Sequence, residues 1–110
     1  MIVLTAFISP FHDDRLRARK LFAKDDFLEI YCRCPLQVCE DRDVKGSYKR
    51  ARNGEIGNFT GISSTYETPV SPDLIVDTSL ISLEESVASV LLLLRQNGVI
   101  DAPPVRQHAP

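Results

Sequence analysis

The pattern of apolar and polar positions predicts strands that alternate with helices. An uninterrupted apolar run at residues 2–8 is rich in β-branched side chains and ends at Ser-Pro, which is typical of a buried parallel strand. Residues 27–32 predict a second strand, and residues 74–76 predict a short third one. Because parallel strands are joined by helices, this order indicates an α/β fold with a parallel sheet.

Two helices are predicted, one between the first two strands and one just after the second strand. Asp13 and Asp14 supply carboxylates where a helix begins, and the following apolar positions up to residue 22 form a weak apolar face. Pro35 suits the first position of a short helix that runs to about Arg42. Both helices then follow the order expected of an α/β layer.

The last helix carries the clearest start and stop signals. Ser82 and Glu85 have the spacing of a capping box, and Asn97-Gly98 supplies the stop. The apolar positions on its predicted buried face are Leu83, Val87, Val90, Leu91 and Leu94. We therefore expect one folded domain over residues 1–100 and a disordered tail over residues 101–110.

Residues 43–72 have no strong hydrophobic period and are interrupted by several Gly and Pro residues. Long irregular segments within a compact domain are usually functional loops, so we expect a lid here. Ligands of parallel sheets bind outside the carboxyl ends of the strands. The residues that follow the predicted strands, at positions 9–10 and 34–35, are expected near that edge.

Composition restricts the possible functions. The chain has 110 residues, 44% apolar and 25% charged, with a net charge of −2. One domain is expected, and the charge balance argues against nucleic-acid binding. No apolar run is long enough to cross a membrane, and the start lacks the features of a signal peptide, so we expect a cytoplasmic protein.

The three cysteines follow a C-x-C-x4-C pattern. Structural zinc sites usually contain a C-x2-C pair and a fourth ligand, so this pattern does not favour a metal site. We expect Cys32 in the core, and Cys34 and Cys39 at a strand-to-helix turn.

A short basic segment is the strongest indication of chemistry. Five cations lie between residues 42 and 52, namely Arg42, Lys45, Lys49, Arg50 and Arg52. Such a local excess attracts a small polyanion, and Phe59 nearby offers a ring for a base, so the pair indicates a nucleotide. The alternative is a solvated helix face with Asp41 and Asp43 as local partners. No phosphate-cradling G-x-x-x-x-G-K-[ST] loop occurs in the chain.

Three ordered motifs carry a resemblance to a known family. They are V-L-T-A-F-I-S-P-F followed by D-R at 3–15, P-L-x-V-C-E-x-R-D-x-K-G-x-Y-K-R-A-R at 35–52, and G-E-I-x-N-F-T-G-I followed by Y-E-x-P at 54–69. With these motifs, the chain resembles adenylyl-sulfate kinase (APS kinase) over roughly residues 2–100. A series of motifs in order is far more specific than a single match.

The resemblance implies transfer of the γ-phosphoryl group of ATP to the 3′-hydroxyl of adenylyl sulfate, which gives 3′-phosphoadenylyl sulfate (PAPS). It also implies a P-loop kinase fold, ATP and Mg²⁺ as cofactors, and a homodimer or a fused or associated sulfurylase. The sequence is similar to the C-terminal portion of that family, whose phosphate loop would precede residue 1. A fragment, a misassigned start and a remnant gene all fit, and we expect the isolated chain to be inactive.

The same resemblance implies residue roles. Ile8 and Ser9 would contact the substrate, with Ser9 also positioning or briefly accepting the phosphoryl group. Lys45 would bind the phosphosulfate or the transferring phosphoryl group, together with the cations Arg42, Lys49, Arg50 and Arg52. Asn58 and Phe59 would form a second substrate contact, with Phe59 stacked on the adenine of adenylyl sulfate. Thr78 and Ser79 would lie against the adenine of ATP. The alternatives without a ligand are that Ser9 caps the following turn and that Phe59 packs under the loop.

The chain departs from the family pattern at Arg33-Cys34, where Asp-Thr is usual, at Gly57, where a lysine is frequent, and at Asn53, where alanine is usual. A second hypothesis is a non-catalytic remnant that associates with an intact kinase or sulfurylase subunit. RNA binding by the basic segment ranks last, since only one short cluster is basic.

Overall fold

The computed structural model describes residues 1–43, 45–61 and 65–101. Its elements are α1 (His12–Lys20), β1 (Ile30–Arg33), α2 (Leu36–Arg42), α3 (Ser47–Arg52), β2 (Leu74–Asp77) and α4 (Leu83–Gln96). The expected tail at residues 101–110 lies outside the described residues, except for residue 101. Within the described ranges, no helix has the length and apolar character needed to cross a membrane.

The sheet is parallel, as predicted. Strands β1 and β2 pair in register from Ile30 opposite Leu74 to Arg33 opposite Asp77. β1 begins at Ile30 rather than at residue 27, and α2 begins after Pro35, which is its N-cap rather than its first residue. The carboxyl ends of both strands therefore meet at one edge, where α2 and the turn into α4 begin.

The strand predicted at residues 2–8 is wrong. Residues 1–11 have no regular secondary structure, and the apolar side chains of this run are exposed. A strand is stabilised by ladder hydrogen bonds and by layers on its faces. In the part of the chain that the structure describes, no strand lies beside this run, so its apolar character alone does not order it.

The core is small and lies between the sheet and α4. Helix α4 packs on β2, and the buried residues among those described are Ala51, Val76 and Leu93. The predicted apolar face of α4 is partly wrong, because Leu83 and Val87 are exposed. The four-residue strand β2 covers only part of a fourteen-residue helix, so the first turns of α4 extend beyond it.

Cys32 is exposed, not in the core as predicted. Its strand has no covering layer on that side among the described elements, so an apolar side chain there has nothing to pack against.

The ends of α4 agree with the sequence. The Ser82 hydroxyl accepts from the Glu85 amide at 3.1 Å, and the Glu85 carboxylate accepts from the Ser82 amide, which completes the predicted capping box. At the other end Gly98 has φ 69°, and the amides of Gly98 and Val99 donate to Arg95 and Leu94. This Schellman arrangement satisfies the last carbonyls and ends the helix.

The predicted lid contains a helix that the sequence pattern did not indicate. The chain turns at Gly46, whose φ of 68° suits glycine, and α3 follows. The Asp43 carboxylate accepts from the amides of Tyr48 and Lys49, both at 3.0 Å. These bonds satisfy donors at the start of α3 that have no partner within the helix. Asp43 therefore fixes the basic segment as a helical turn close to the end of α2.

Candidate functional site

The site begins at the carboxyl edge of the sheet. Arg33 and Asp77 end the two strands, and the Arg33 Nε donates to the Asp77 carboxylate at 3.1 Å. The Thr78 amide donates to the Arg33 carbonyl at 3.0 Å, which continues the ladder by one bond. These bonds hold the ends of the two strands together. Helix α2 follows β1 and the turn at 78–81 follows β2, so both begin at the same edge of the sheet.

Asp77 organises the turn after β2. It accepts from the Ser79 hydroxyl at 2.5 Å and from the Ser79 amide at 3.1 Å. The hydrogen bond from the Ser79 hydroxyl, assisted by that from Arg33, holds the pKa of Asp77 below its ordinary value despite partial desolvation. An ionised Asp77 therefore keeps the Ser79 hydroxyl and the Arg33 side chain pointing at the same carboxylate.

Two of the five predicted cations are engaged within the chain. Arg52 donates through Nε and Nη2 to one oxygen of Glu40, at 3.0 and 2.7 Å. Arg42 donates to the Thr78 carbonyl at 3.1 Å. These bonds connect α3 to α2, and α2 to the turn after β2, so both arginines stabilise the site's framework.

The local partners expected from the sequence do not pair with these arginines. Asp43 accepts from the backbone of α3, and Asp41 accepts from the Gln37 side chain at 3.1 Å. Helix geometry explains the difference, since Asp41 lies one turn from Gln37 on the exposed side of α2, whereas Glu40 is half-buried on the side near α3.

The other three cations, Lys45, Lys49 and Arg50, are exposed. Within the described ranges their side chains have no hydrogen bond or ion pair to the protein. Lys45 lines an open cleft of about 310 Å³ together with Cys39, Arg42, Asp43, Ser47 and Tyr48. Lys45 is thus available to an anionic ligand in the cleft, and Lys49 and Arg50 follow Tyr48 along α3. An ammonium group binds phosphate oxygens as a point charge.

An aromatic pair lies beside this cleft. The Phe59 ring meets the Tyr48 ring at 4.9 Å between centroids and at 73° between planes, an edge-to-face contact. Burial, followed by the neighbouring Cys39, raises the pKa of Tyr48, so its hydroxyl stays neutral. Asn58, which directly precedes Phe59, is exposed and has φ 52°, a backbone conformation that asparagine tolerates better than most residues. Phe59 is therefore joined to the cationic cleft through Tyr48.

Ser9 lies in a separate part of the described structure. Its φ is 42°, and its carbonyl accepts from Arg15 Nη1 at 2.5 Å. Arg15 Nη2 donates to the Glu67 carbonyl at 2.6 Å, and the Glu67 amide donates to the Pro10 carbonyl at 2.7 Å. These bonds tie residues 9–15 to residues 66–67, at the far end of the predicted lid.

This tie also reaches the sheet. The Tyr66 ring stacks with the Tyr31 ring of β1 at 6.3 Å between centroids, and the Arg15 guanidinium lies 5.8 Å from the Tyr66 ring. Neither Tyr66 nor Glu67 was assigned a role from the sequence, although both lie in a motif that carries the resemblance. Ile8 and the Ser9 side chain are exposed, and the described contacts do not bring Ser9 together with Lys45.

The residues present do not make a magnesium site by themselves. Among the described residues no group of three or more His, Cys, Asp or Glu could hold a metal ion. The acid nearest the carboxyl edge, Asp77, already accepts from Ser79 and Arg33. Thr78 and Ser79 likewise use their backbone groups within the turn and toward Arg42. The side chains available to a ligand near this edge are therefore cations and aromatic rings.

A parallel sheet flanked by helices, with cations and an aromatic pair after its carboxyl edge, defines the α/β class that binds ligands at that edge. The family model described as adenylylsulphate kinase matches residues 1–77. The chain belongs to the adenylylsulphate kinase family.

Individual relatives agree with this assignment. An adenylyl-sulfate kinase of Acaryochloris marina is 56% identical over 100 residues, which cover 91% of this chain and 49% of the relative. A probable adenylyl-sulfate kinase of Bacillus subtilis is 52% identical over 99 residues, covering 90% of this chain and 50% of the relative. The chain thus spans about half the length of the curated relatives it matches.

A solved structure shows the same fold. The APS kinase of Mycobacterium tuberculosis, in complex with AMPPNP and APS, matches with a TM-score of 0.76 and 46% sequence identity. The match covers 81% of this chain and 52% of that one. The predicted fold class is confirmed: the chain carries a small, partial parallel sheet flanked by helices, of the P-loop kinase type.

Proposed function

We propose that this chain is the acceptor-nucleotide part of an adenylyl-sulfate kinase, which transfers the γ-phosphoryl group of ATP to the 3′-hydroxyl of adenylyl sulfate. The observation that carries the proposal is the cleft lined by Lys45 and Tyr48, next to the Tyr48–Phe59 pair. The charges of Lys45, and of Lys49 and Arg50 farther along α3, are not used within the described structure. The relative from Mycobacterium tuberculosis, solved with AMPPNP and APS, supports the choice of ligands.

In this proposal Lys45 binds the phosphosulfate group or the transferring phosphoryl group. Lys49 and Arg50, which follow Tyr48 in α3, add positive charge. Arg42 and Arg52 hold the framework through Thr78 and Glu40. Phosphoryl transfer depends mainly on positioning and on neutralising charge over the phosphate oxygens. Cations that no internal partner compensates are suited to that task, because their full charge acts on the ligand.

Phe59 and Asn58 contact the adenine of adenylyl sulfate. Base stacking on an aromatic ring contributes on the order of 1–3 kcal/mol per base in single-stranded nucleic-acid sites. The Tyr48 ring holds Phe59 from one direction, which limits the conformational entropy lost when the base binds.

Ile8 and Ser9 contact the substrate from the other part of the chain. We assign Ser9 a positioning role, with direct in-line transfer between the nucleotides, since phosphoryl transfer requires no protein nucleophile. The Arg15–Glu67 tie holds the Ser9 backbone in its positive-φ conformation. Thr78 and Ser79 lie against the adenine of ATP. Mg²⁺ would arrive with ATP, since no cluster of described residues could hold it, and would supply charge neutralisation at the phosphates.

A change at Lys45 tests the substrate assignment. Lys45→Ala should weaken the binding of adenylyl sulfate to the chain by about tenfold to a hundredfold, since a charge-assisted hydrogen bond contributes about 1.5–3 kcal/mol. Isothermal titration calorimetry measures the affinity. Lys24→Ala is the matched control, because Lys24 is also exposed but precedes β1, at the opposite end of the strand. Equal affinities of the Lys45 and Lys24 variants would refute the assignment.

Association with a second copy of the chain or with a sulfurylase subunit belongs to the same proposal. The exposed apolar run at residues 2–8 favours it, because uncovered apolar surface is stabilised by a partner. Size-exclusion chromatography with the intact Bacillus subtilis kinase or with a sulfurylase is the test. Elution of the chain only at its own monomer volume in both mixtures would contradict it.

A further inference from the structure

Two cysteines occupy a paired position at the start of α2. Cys34 directly precedes the N-cap residue Pro35, and Cys39 is the fourth residue of the helix. These are the two positions whose side chains pack together in a hydrophobic staple. The Cys39 thiol donates to the Cys34 carbonyl at 3.8 Å and also interacts with the Cys34 thiol. The two cysteines therefore contact each other across the start of α2.

The pair is in contact with the candidate site. The Cys39 thiol interacts with the Tyr48 hydroxyl, and both side chains line the cleft that contains Lys45. Tyr48 in turn packs against Phe59 at 4.9 Å. A chemical change at Cys39 therefore reaches Phe59 through the Tyr48 side chain.

The third cysteine has a different environment. Cys32 is exposed on β1, whereas Cys34 and Cys39 are half-buried. All three are free thiols in the structure, and no metal-binding group of three such residues occurs among those described. Among the described residues, the recorded contact thus joins Cys34 to Cys39 and does not include Cys32.

We propose that Cys34 and Cys39 form a reversible dithiol–disulfide site that is oxidised by a low-molecular-weight disulfide such as glutathione disulfide. The Cys34 thiolate attacks one sulfur of the oxidant, releases one glutathione and leaves a mixed disulfide. The Cys39 thiolate then attacks the Cys34 sulfur and releases the second glutathione. The two protein thiols lose two electrons, the oxidant gains them, and the two protons are taken up by the released thiols.

The order of the two steps follows from the surroundings. Burial, followed by the adjacent Cys34, raises the pKa of Cys39. The fraction of Cys39 present as thiolate is therefore low, which slows its attack on a dissolved oxidant. Its attack is the intramolecular one, for which proximity compensates a low thiolate fraction. Closing the bond removes the Cys39 thiol proton and fixes the entry into α2, which alters the contact of Cys39 with Tyr48. The site does not depend on the proposed kinase activity.

Peptide mapping tests the proposal on the whole chain. Trypsin cuts after Arg33 and Arg42, so one peptide carries both Cys34 and Cys39, and Cys32 lies in the preceding one. After glutathione disulfide and alkylation of free thiols, the 34–42 peptide should be two hydrogens lighter than its reduced form and carry no alkyl group. Dithiothreitol should restore two alkylation sites.

Matched variants separate this pair from general thiol oxidation. Cys32→Ser should leave closure of the 34–42 loop unchanged. Cys39→Ser should stop at a glutathione adduct on Cys34, and Cys34→Ser should form an adduct on Cys39 more slowly. A 34–42 peptide that carries two glutathione adducts, or that is cross-linked to the Cys32 peptide, overturns the proposal.

The folded state should favour closure. Measured against a glutathione redox buffer, the equilibrium constant for forming the disulfide should fall about tenfold or more in denaturing urea, because the staple no longer holds the sulfurs together. An unchanged constant in urea would mean that the fold does not position the pair, and would overturn the proposal even if the disulfide forms.

Discussion

The isolated chain should form no detectable PAPS from ATP and adenylyl sulfate. It has no G-x-x-x-x-G-K-[ST] loop, the element that cradles the ATP phosphates in P-loop enzymes. The described residues also lack a cluster able to hold a metal ion. Losing a single preorganised donor can cost on the order of 10²–10³ in rate, so losing the whole loop should cost at least about a thousandfold.

The measurement is PAPS formation from labelled ATP, with the intact Bacillus subtilis relative as the positive control. The same preparation of this chain should bind adenylyl sulfate, which separates an inactive folded chain from an unfolded one. PAPS formation by the chain above a protein-free blank, sensitive to Lys45→Ala, would contradict the expectation.

Leu93→Ala should lower the free energy of unfolding by about 3 kcal/mol, in the range of buried leucine truncations. Leu93 is one of the few buried apolar side chains in the described structure, and its helix packs on β2. In so small a core, a cavity has few neighbours that could relax into it. A loss of this size is a large fraction of the stability of a small domain.

The neighbouring leucine supplies a matched control for this substitution. Leu93 is 8% exposed, whereas Leu92 in the same turn is 53% exposed. Urea unfolding followed by circular dichroism should therefore place Leu92→Ala within about 0.5 kcal/mol of the parent chain. Equal losses for the two variants would show that α4 does not pack on the sheet through Leu93.

Elements with strong local signals could be predicted from the sequence. The capping box of Ser82, the Gly98 stop and the short apolar segment of β2 each contain their own physical cause, and all three are present. The apolar run at residues 2–8 does not, since a strand exists only beside a partner. Helix α3 was not predicted because its start depends on Asp43, a residue several positions earlier that caps it across a turn.

The candidate site could be predicted as a list of residues but not as an arrangement. The basic segment and Phe59 were identifiable from residue types. Which arginines are engaged was not, because the Arg42 bond to Thr78 spans 36 residues and the Arg52 bond to Glu40 joins two helices. The tie between Arg15 and Glu67, 52 residues apart, had no sequence signal other than its presence in the family motifs.

The exposed run at residues 2–8 has a consequence for handling the protein. It contains seven consecutive residues without charge or proline, most of them β-branched or aromatic, and its side chains are open to solvent. Segments of this kind form cross-β zippers between identical chains. We therefore expect self-association that increases with protein concentration. Replacing Thr5 with a charged residue should raise the highest concentration at which the chain remains unaggregated.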